Sequence, residues 1–125
     1  MGNNKKRILV IEDDNILSSM YKTKLESDNY EVTVAVNGID GLKLAKMGNY
    51  NLILLDIIMP LLDGFVVLEE LKKDSKTKNT PVILLTNLGT EEDVEKGKKL
   101  GAVDYIVKAN MTPKEINKRI KLYIK

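Results

Sequence analysis

The segment that decides the fold is residues 51–64, which reads N-L-I-L-L-D-I-I-M-P-L-L-D-G. Its first half is apolar at nearly every position, which is typical of a central parallel strand covered on both faces. The run stops on one carboxylate, Asp56, and Pro60 and Gly64 then mark a loop. Because burying an unpaired carboxylate is costly, a strand that ends on one usually has a use for it. Asp56 is therefore the first candidate functional residue.

Five apolar segments alternate with five amphipathic ones along the chain. We predict strands at 7–11, 31–36, 52–56 and 81–86, and a fifth within 102–108. We predict helices over 15–27, 39–47, 65–73 and 91–100, and a last helix that Thr112-Pro113 opens. Parallel strands need right-handed crossovers, so the pattern predicts a doubly wound (βα)5 α/β sheet with helices on both faces. We expect one domain over residues 1–125, because no linker or repeat interrupts the pattern.

The apolar residues of the predicted helices keep helical spacing, and we expect them to form the core. They are Ile16, Met20, Leu25, Leu42, Leu44, Ala45, Phe65, Leu68, Leu71, Ile116, Ile120 and Ile124. Two acidic residues are better explained as helix caps than as site residues. Asp14 is expected to cap the first helix, and Asp63 the helix that begins near Gly64.

Composition excludes several kinds of chemistry. The chain has no Cys and no His, which removes thiol nucleophiles, imidazole bases and His- or Cys-ligated zinc. With 20 basic and 18 acidic residues, the net charge of +2 argues against binding of nucleic acid through bulk electrostatic attraction. The apolar runs are too short to span a bilayer, so we expect a cytoplasmic protein with no membrane association.

Polar side chains lie at the ends of four predicted strands or directly after them. These residues are Glu12, Asp13, Asp56, Thr86, Asn87 and Lys108. Ligands of such sheets bind beyond the carboxyl ends of the strands, where the strand order reverses. If the first and third strands are neighbours, Glu12, Asp13 and Asp56 converge, and their repulsion would demand a cation. Oxygen ligands without His or Cys suit Mg²⁺.

The amine of Lys108 and a metal ion would place positive charge on either side of Asp56. A carboxylate in that setting can act as a nucleophile toward a phosphoryl group. Phosphoryl transfer depends on positioning and charge neutralisation more than on proton chemistry, which agrees with a chain that lacks His.

Four motifs together resemble the receiver domains of two-component response regulators, over essentially the whole chain. They are I-L-V-I-E-D-D at 8–14, L-L-D-I-I-M-P-L-L-D-G at 54–64, L-L-T at 84–86 and G-A-V-D-Y-I-V-K at 101–108. Each motif alone is weak, but all four in order at strand ends form a specific pattern. The resemblance implies a flavodoxin-like, or CheY-like, sheet with strand order 2-1-3-4-5.

The resemblance also implies a role for each matching residue. Asp56 would be the phosphoacceptor. Asp13 would bind Mg²⁺ directly and Glu12 mostly through water, with the backbone carbonyl of Ile58 as a further ligand. Lys108 would contact the phosphoryl oxygens.

A switch and its partners follow from the same resemblance. Thr86 would be the switch hydroxyl, which turns toward the phosphoryl group and leaves room for Tyr105 to turn inward. The face formed by the fourth helix, fifth strand and fifth helix would then change. The expected phosphodonor is a histidine kinase or a histidine phosphotransfer protein. A downstream protein or a second copy could bind residues 91–124, although Glu115 and Arg119 could instead pair within their helix.

Two residues depart from the family pattern. Ala109 stands where the family usually has a proline after a cis bond. Because a cis bond before a non-proline residue costs about 2.5–4 kcal/mol, we predict a trans Lys108–Ala109 bond and a rebuilt 108–112 loop. Asn87 replaces a small residue, so we expect slower entry of a hydrolytic water to the phosphoryl group.

Other functions on the same fold remain as alternatives. A Mg²⁺-dependent phosphohydrolase with an aspartyl-phosphate intermediate would commonly have an acid two residues after the nucleophile, where this chain has Ile58. A flavin or nucleotide module would need a Gly- or Ser/Thr-rich phosphate loop after the first strand, but E-D-D-N at 12–15 would repel a phosphate that lacks a metal ion. A degenerate receiver that serves only as a docking module gains some support from Ala109. As a receiver, the chain would be no enzyme beyond assisting its own phosphorylation and dephosphorylation.

Overall fold

The protein is described by a computed structural model, which covers residues 5–124. Its five-stranded parallel sheet has the order β2-β1-β3-β4-β5, so the predicted doubly wound topology is confirmed. The elements are β1 (Arg7–Ile11), α1 (Asn15–Ser27), β2 (Glu31–Ala35), α2 (Gly38–Met47), β3 (Leu52–Leu55), α3 (Gly64–Lys73), β4 (Val82–Thr86), α4 (Glu91–Lys99), β5 (Asp104–Val107) and α5 (Pro113–Lys121). Within residues 5–124, none of the helices has the length and apolar character needed to cross a membrane.

The register of the sheet fixes which residues meet at its carboxyl edge. Ile11 of β1 lies opposite Leu55 of β3, so the residues that follow them, Glu12 and Asp56, leave neighbouring strands side by side. Thr86 lies opposite Val107, which places the start of Lys108 beside the end of β4. Four strand ends therefore deliver polar side chains to one place.

The core lies on both faces of the sheet. One cluster packs beneath α1 and α5 and includes Val10, Leu54 and Ile120. The other packs beneath α2 and α3 and includes Leu9, Leu55 and Leu68. Alternate residues of the same strand belong to opposite clusters, as expected for strands covered on both faces.

The predicted caps are confirmed. Asp14 accepts hydrogen bonds from the backbone N–H groups of Ile16 and Leu17 at the start of α1. Asp63 accepts from the N–H of Val66 at the start of α3. Thr112 opens α5 with a capping box.

The predicted inward face of α1 is wrong at two positions. Ile16 is 76% exposed and Met20 is 43% exposed. The buried residues of α1 are Ser18, Tyr21 and Leu25. Ser18 can face the sheet because its hydroxyl donates to the carbonyl of Asn15 in its own helix, so the polar group is satisfied locally. Hydrophobicity alone therefore misplaced the inward face at Ile16 and Met20, whereas Leu25 is buried as predicted.

The suggested pairing of Glu115 with Arg119 is also wrong. The guanidinium of Arg119 donates to both carboxylate oxygens of Asp104 in β5, at 2.9 and 2.7 Å. Glu115 instead accepts from the N–H of Thr112 at 2.9 Å, as part of the capping box. Glu115 is already engaged at the helix start, and the half-buried carboxylate of Asp104 offers Nη1 of Arg119 two charge-assisted hydrogen bonds.

The segment after β5 is rebuilt as predicted. The Lys108–Ala109 bond is trans. Residues Lys108–Asn110 form a 3-10 turn, and the N–H of Met111 points back to the carbonyl of Lys108. The turn leaves the side chain of Lys108 at the carboxyl edge of the sheet.

Candidate functional site

An open cleft lies at the carboxyl edge of the sheet, where the order of the strands reverses. We call it the acidic cleft. It is lined by Glu12, Asp13, Asp14, Leu17, Asp56, Ile58, Thr86, Asn87 and Lys108. The cleft thus collects every predicted site residue except Tyr105, which lies beside it on β5.

Three carboxylates in the acidic cleft are close enough to share a cation. One carboxylate oxygen from each of Glu12, Asp13 and Asp56 lies within 4.8 Å of the others. Glu12 and Asp56 are buried, with 2% and 6% exposure, whereas Asp13 is exposed to the opening. Such a set of hard oxygen donors, open on one side to water, fits Mg²⁺. Ile58 also lines the cleft, beside the carboxylates.

Lys108 connects two of these carboxylates. Its Nζ donates to Oε1 of Glu12 at 2.5 Å and to Oδ2 of Asp56 at 3.0 Å. The Lys108 side chain is only 10% exposed, so water screens these contacts little. The ammonium therefore compensates part of the negative charge of the acidic cleft.

Asp56 is also held by the backbone around it. Its Oδ1 accepts from the N–H of Ile57 at 2.7 Å, and its own N–H donates to the carbonyl of Ile11 at 3.0 Å. Gly64 packs so closely that a Cβ there would lie 2.2 Å from the carbonyl oxygen of Asp56. Glycine at this position lets α3 begin directly behind Asp56.

Burial and the ion pairs shift the pKa values in the cleft. Burial raises the pKa of Glu12 to about 7, against the hydrogen bonds from Lys108 and from the N–H of Asp14, which lower it. Burial alone would lower the pKa of Lys108, but its hydrogen bonds to Glu12 and Asp56 outweigh burial and raise it. Lys108 is thus a stable cation, while Glu12 depends on nearby positive charge to remain ionised.

Thr86 and Tyr105 both form a hydrogen bond with the backbone of Leu88. Thr86 is fully buried, and its Oγ1 accepts a long hydrogen bond from the N–H of Leu88 at 3.4 Å. The hydroxyl of half-buried Tyr105 donates to the carbonyl of the same Leu88 at 2.5 Å. Asn87, which lies between Thr86 and Leu88 in the sequence, lines the cleft and is exposed. A movement of the Thr86 hydroxyl can therefore reach Tyr105 through the Leu88 backbone.

Sequence reasoning did not find two of these contacts. Leu88 acts through its backbone, which no side-chain pattern reveals. The contact between Glu12 and Lys108 joins residues 96 positions apart. Its only sequence signal is that opposite charges follow two strands of the same parallel sheet.

Comparison with known proteins gives a consistent result. A sequence model described as "Response regulator receiver domain" matches residues 8–121. The "Probable transcriptional regulator ycf27" of Cyanophora paradoxa is 42% identical over 118 residues, which are 94% of this chain and 48% of that protein. The "DNA-binding dual master transcriptional regulator RpaA" of Synechocystis sp. is 42% identical over 102 residues, which are 82% of this chain and 42% of that protein. The chain therefore spans about half the length of the curated relatives it matches.

Solved structures agree with the sequence relatives. The receiver domain of the Francisella response regulator 1452 is 35% identical, with a TM-score of 0.88 over 95% of this chain and 96% of that one. The receiver domain of the sensor histidine kinase PA1611 from Pseudomonas aeruginosa PAO1 is 27% identical, with a TM-score of 0.86 over 95% and 97% of the two chains. The latter structure has a magnesium ion coordinated in its active site cleft.

Proposed function

Since this chain belongs to the response regulator receiver domain family of two-component signalling, we propose that Asp56 accepts a phosphoryl group and thereby switches the surface of the domain. The observation that carries this proposal is the position of the Asp56 carboxylate. It is one of three carboxylates in an open cleft that lie close enough to hold a cation, and it also accepts a hydrogen bond from the ammonium of Lys108.

The proposed reaction is a displacement at phosphorus. An oxygen of the Asp56 carboxylate attacks the phosphorus of a phosphohistidine on the donor, and the bond from phosphorus to the imidazole nitrogen breaks. The electron pair of that bond stays on the nitrogen of the leaving imidazole. Lys108 then compensates charge on the phosphoryl oxygens, in place of its contact with the free Asp56 carboxylate.

The metal is proposed to lie on the carboxylate side of the cleft. Asp13 and Asp56 would hold Mg²⁺ directly, Glu12 through water, and the carbonyl of Ile58 would complete the protein ligands. Bound there, the ion would supply positive charge beside Asp56, in addition to the ammonium of Lys108. The oxygen-only chemistry of the cluster supports this assignment.

The switch is proposed to run from Thr86 to the face formed by α4, β5 and α5. In the phosphorylated state the Thr86 hydroxyl donates to a phosphoryl oxygen, and Leu88 transmits the movement to Tyr105. Support comes from the shared hydrogen-bond partner of these two side chains. Because Tyr105 already donates to Leu88, the change would adjust this contact rather than create it.

The proposed partners follow from the family. A histidine kinase or a histidine phosphotransfer protein supplies the phosphoryl group, and the face of α4, β5 and α5 binds a downstream protein or a second copy. The relative RpaA is described as DNA-binding, and we do not propose DNA binding for the residues of this chain. We further propose that catalysis is limited to the domain's own phosphorylation and dephosphorylation, and that it takes place in the cytoplasm.

The test is intact mass spectrometry after incubation with acetyl phosphate and Mg²⁺. Wild type is expected to gain one phosphoryl group and Asp56→Asn none. Asp40→Asn, which changes an exposed carboxylate on α2, is the matched control and is expected to behave as wild type. An unmodified wild type, or a modified Asp56→Asn, would contradict the proposal, and release of many phosphate equivalents per chain would favour a phosphohydrolase.

Asn87 is proposed to slow dephosphorylation, because it is an exposed side chain at the mouth of the cleft. Asn87→Ala should shorten the lifetime of the phosphorylated protein. The measurement is the decay of the phosphorylated mass after removal of the donor. Equal decay in both proteins would remove this role.

A further inference from the structure

The carboxylate of Glu12 is engaged by the protein at both of its oxygens. Oε1 accepts from the ammonium of Lys108 at 2.5 Å. Oε2 accepts from the backbone N–H of Asp14 at 3.0 Å. The side chain is 3% exposed, in contrast to the exposed Asp13 beside it. Glu12 is therefore fixed in direction, whereas Asp13 is free to face a ligand in the cleft.

The fixed direction of Glu12 has a local cause. Asp14 caps α1 through its side chain, which holds the turn between β1 and α1. The same turn presents the Asp14 N–H to Oε2, so the second oxygen, Oε1, is directed at Lys108. A carboxylate held at one oxygen by a rigid turn can orient a flexible partner through the other.

Lys108 is a side chain that needs such orientation. It follows β5 and begins a 3-10 turn through a trans bond, so its four-carbon stem crosses from the end of β5 to Asp56. A flexible ammonium loses considerable rotamer entropy when it is held in one place. Two buried carboxylates, rather than one, hold it here.

We infer that Glu12 is a positioning residue for Lys108, which it aims at the phosphoryl site beside Asp56, and that this is its larger contribution to the reaction. The inference rests on the proposed phosphorylation of Asp56 and adds the means by which the cation is placed. Glu12 can also contact a metal-bound water, and this contact is the smaller of its two contributions. Asp13 carries more of the metal affinity because its carboxylate faces the opening.

The two roles of Glu12 give different results for the isosteric variant Glu12→Gln. The amide oxygen of Gln can still accept from the Asp14 N–H, so the turn is expected to survive. With its only oxygen kept at the Asp14 N–H, the amide presents its NH2 group, which is a donor, to the Lys108 ammonium, so the acceptor that holds Lys108 is lost. If Glu12 acts through Lys108, phosphorylation slows even at saturating Mg²⁺. If it acts through the metal, saturating Mg²⁺ restores the rate.

The first experiment measures Mg²⁺ affinity by calorimetry and the rate of phosphorylation by acetyl phosphate at saturating Mg²⁺. Glu12→Gln is expected to lose less affinity than Asp13→Asn and to be phosphorylated about 10- to 100-fold more slowly than wild type, as expected for a misplaced reacting group. An affinity loss as large as that of Asp13→Asn, or a wild-type rate, would overturn the inference. Thermal unfolding of each variant establishes that it is folded.

A double-mutant cycle then separates the two roles. If Glu12 acts through Lys108, the pair Glu12→Gln with Lys108→Met is no slower than Lys108→Met alone. If Glu12 acts independently of Lys108, the two losses multiply, and the positioning role is refuted.

The last measurement needs no phosphorylation. The metal-free protein is treated with a limiting amount of an amine-acetylating ester, and acetylation of each lysine is followed by peptide mass spectrometry. Lys108 is expected to react faster in Glu12→Gln than in wild type or Asp13→Asn, while exposed Lys98 is unchanged in all three. An unchanged Lys108 would overturn the inference. If wild type accepts no phosphoryl group, the proposed function fails, and the acetylation pattern still decides whether Glu12 holds Lys108.

Discussion

The two helices that follow β4 and β5 have nine residues each but are held to the sheet in opposite ways. In α5, Ile116, Asn117 and Ile120 are buried. In α4, the only buried residue is Gly97. A helix that buries large side chains is fixed, whereas a helix that buries one glycine can shift at small cost.

Polar contacts reinforce the difference. Arg119 joins α5 to Asp104 of β5 with two hydrogen bonds, and Asn117 joins it to Asp28 at the end of α1. In α4, the side chain of Lys96 lies over the ring of Phe65, with the ammonium 4.5 Å from the ring centroid. The loosely held helix is the one that follows Thr86, so the proposed switch acts on the element that is easiest to move.

The largest effect is expected from the core of α5. Ile120→Ala should lower the free energy of unfolding by about 2–5 kcal/mol, because it leaves a cavity at a fully buried position. The matched change in α4, Val94→Ala, should cost about 1 kcal/mol, since Val94 is only half-buried. Urea unfolding measures both. Equal losses would show that α4 is held as firmly as α5.

The sequence predicted the strands and their polar ends well for a physical reason. Strands such as Leu52–Leu55 are buried on both faces, so their apolar runs stop sharply where the sheet ends, and Asp56 marks that point. The convergence of Asp56 with Lys108 followed from topology once the strand order was supplied by the resemblance. The orientation of α1 could not be predicted, because Ser18 satisfies its hydroxyl locally and packs as a small residue would.

Contacts made by small residues and backbone groups escaped prediction. The carbonyl of Leu88 carries no sequence signal, although it is the partner of Tyr105. In the sequence, a glycine such as Gly97 indicates only a position of low helix propensity. In the structure it lets α4 approach β4 and β5 closely. The difference between α4 and α5 therefore became visible only in three dimensions.

Gly97→Ala tests how closely α4 lies on the sheet. An added Cβ would lie 2.5 Å from Cδ1 of fully buried Leu84 and 3.0 Å from the ring of Tyr105. Such overpacking costs about 1–3 kcal/mol, which exceeds the gain of about 1 kcal/mol in helix propensity. We expect a net loss of stability and faster amide hydrogen exchange in α4 but not in α5.

The control for Gly97→Ala is Lys98→Ala, at the next and exposed position of α4. It should leave the exchange rates of α4 nearly unchanged. A Gly97→Ala protein that is more stable than wild type, with slower exchange in α4, would mean that helix propensity dominates and that the close approach does not limit α4.

Tyr105→Phe removes the hydrogen bond to Leu88 and should cost about 0.5–1.5 kcal/mol at pH 7. Burial, with Asp93 and Asp56 nearby, raises the pKa of Tyr105 to about 12 from its usual 10. A raised folded-state pKa stabilises the fold fully below pH 10, and this contribution is lost as the pH rises from 10 to 12. The stability difference between wild type and Tyr105→Phe should therefore shrink over that range.

Urea unfolding at pH 7, 10 and 11 measures the difference for Tyr105→Phe. Tyr50→Phe, which removes a hydroxyl outside α4 and β5, controls for the effect of alkali on the whole fold. A Tyr105→Phe difference that grows with pH would mean that the phenolate, and not the phenol, is favoured in the fold.

The smallest effect is expected from Lys96→Met, which keeps the unbranched stem and removes only the ammonium above Phe65. Cation–π contacts at exposed positions contribute about 0.5–1 kcal/mol, so the loss should be of that size. Lys98→Met, an exposed lysine two residues on, should cost less. A double-mutant cycle with Phe65→Leu isolates the contact, since removing either partner should abolish the effect of removing the other. Zero coupling would mean that the Lys96 ammonium does not help to hold α4, and would widen the contrast with α5.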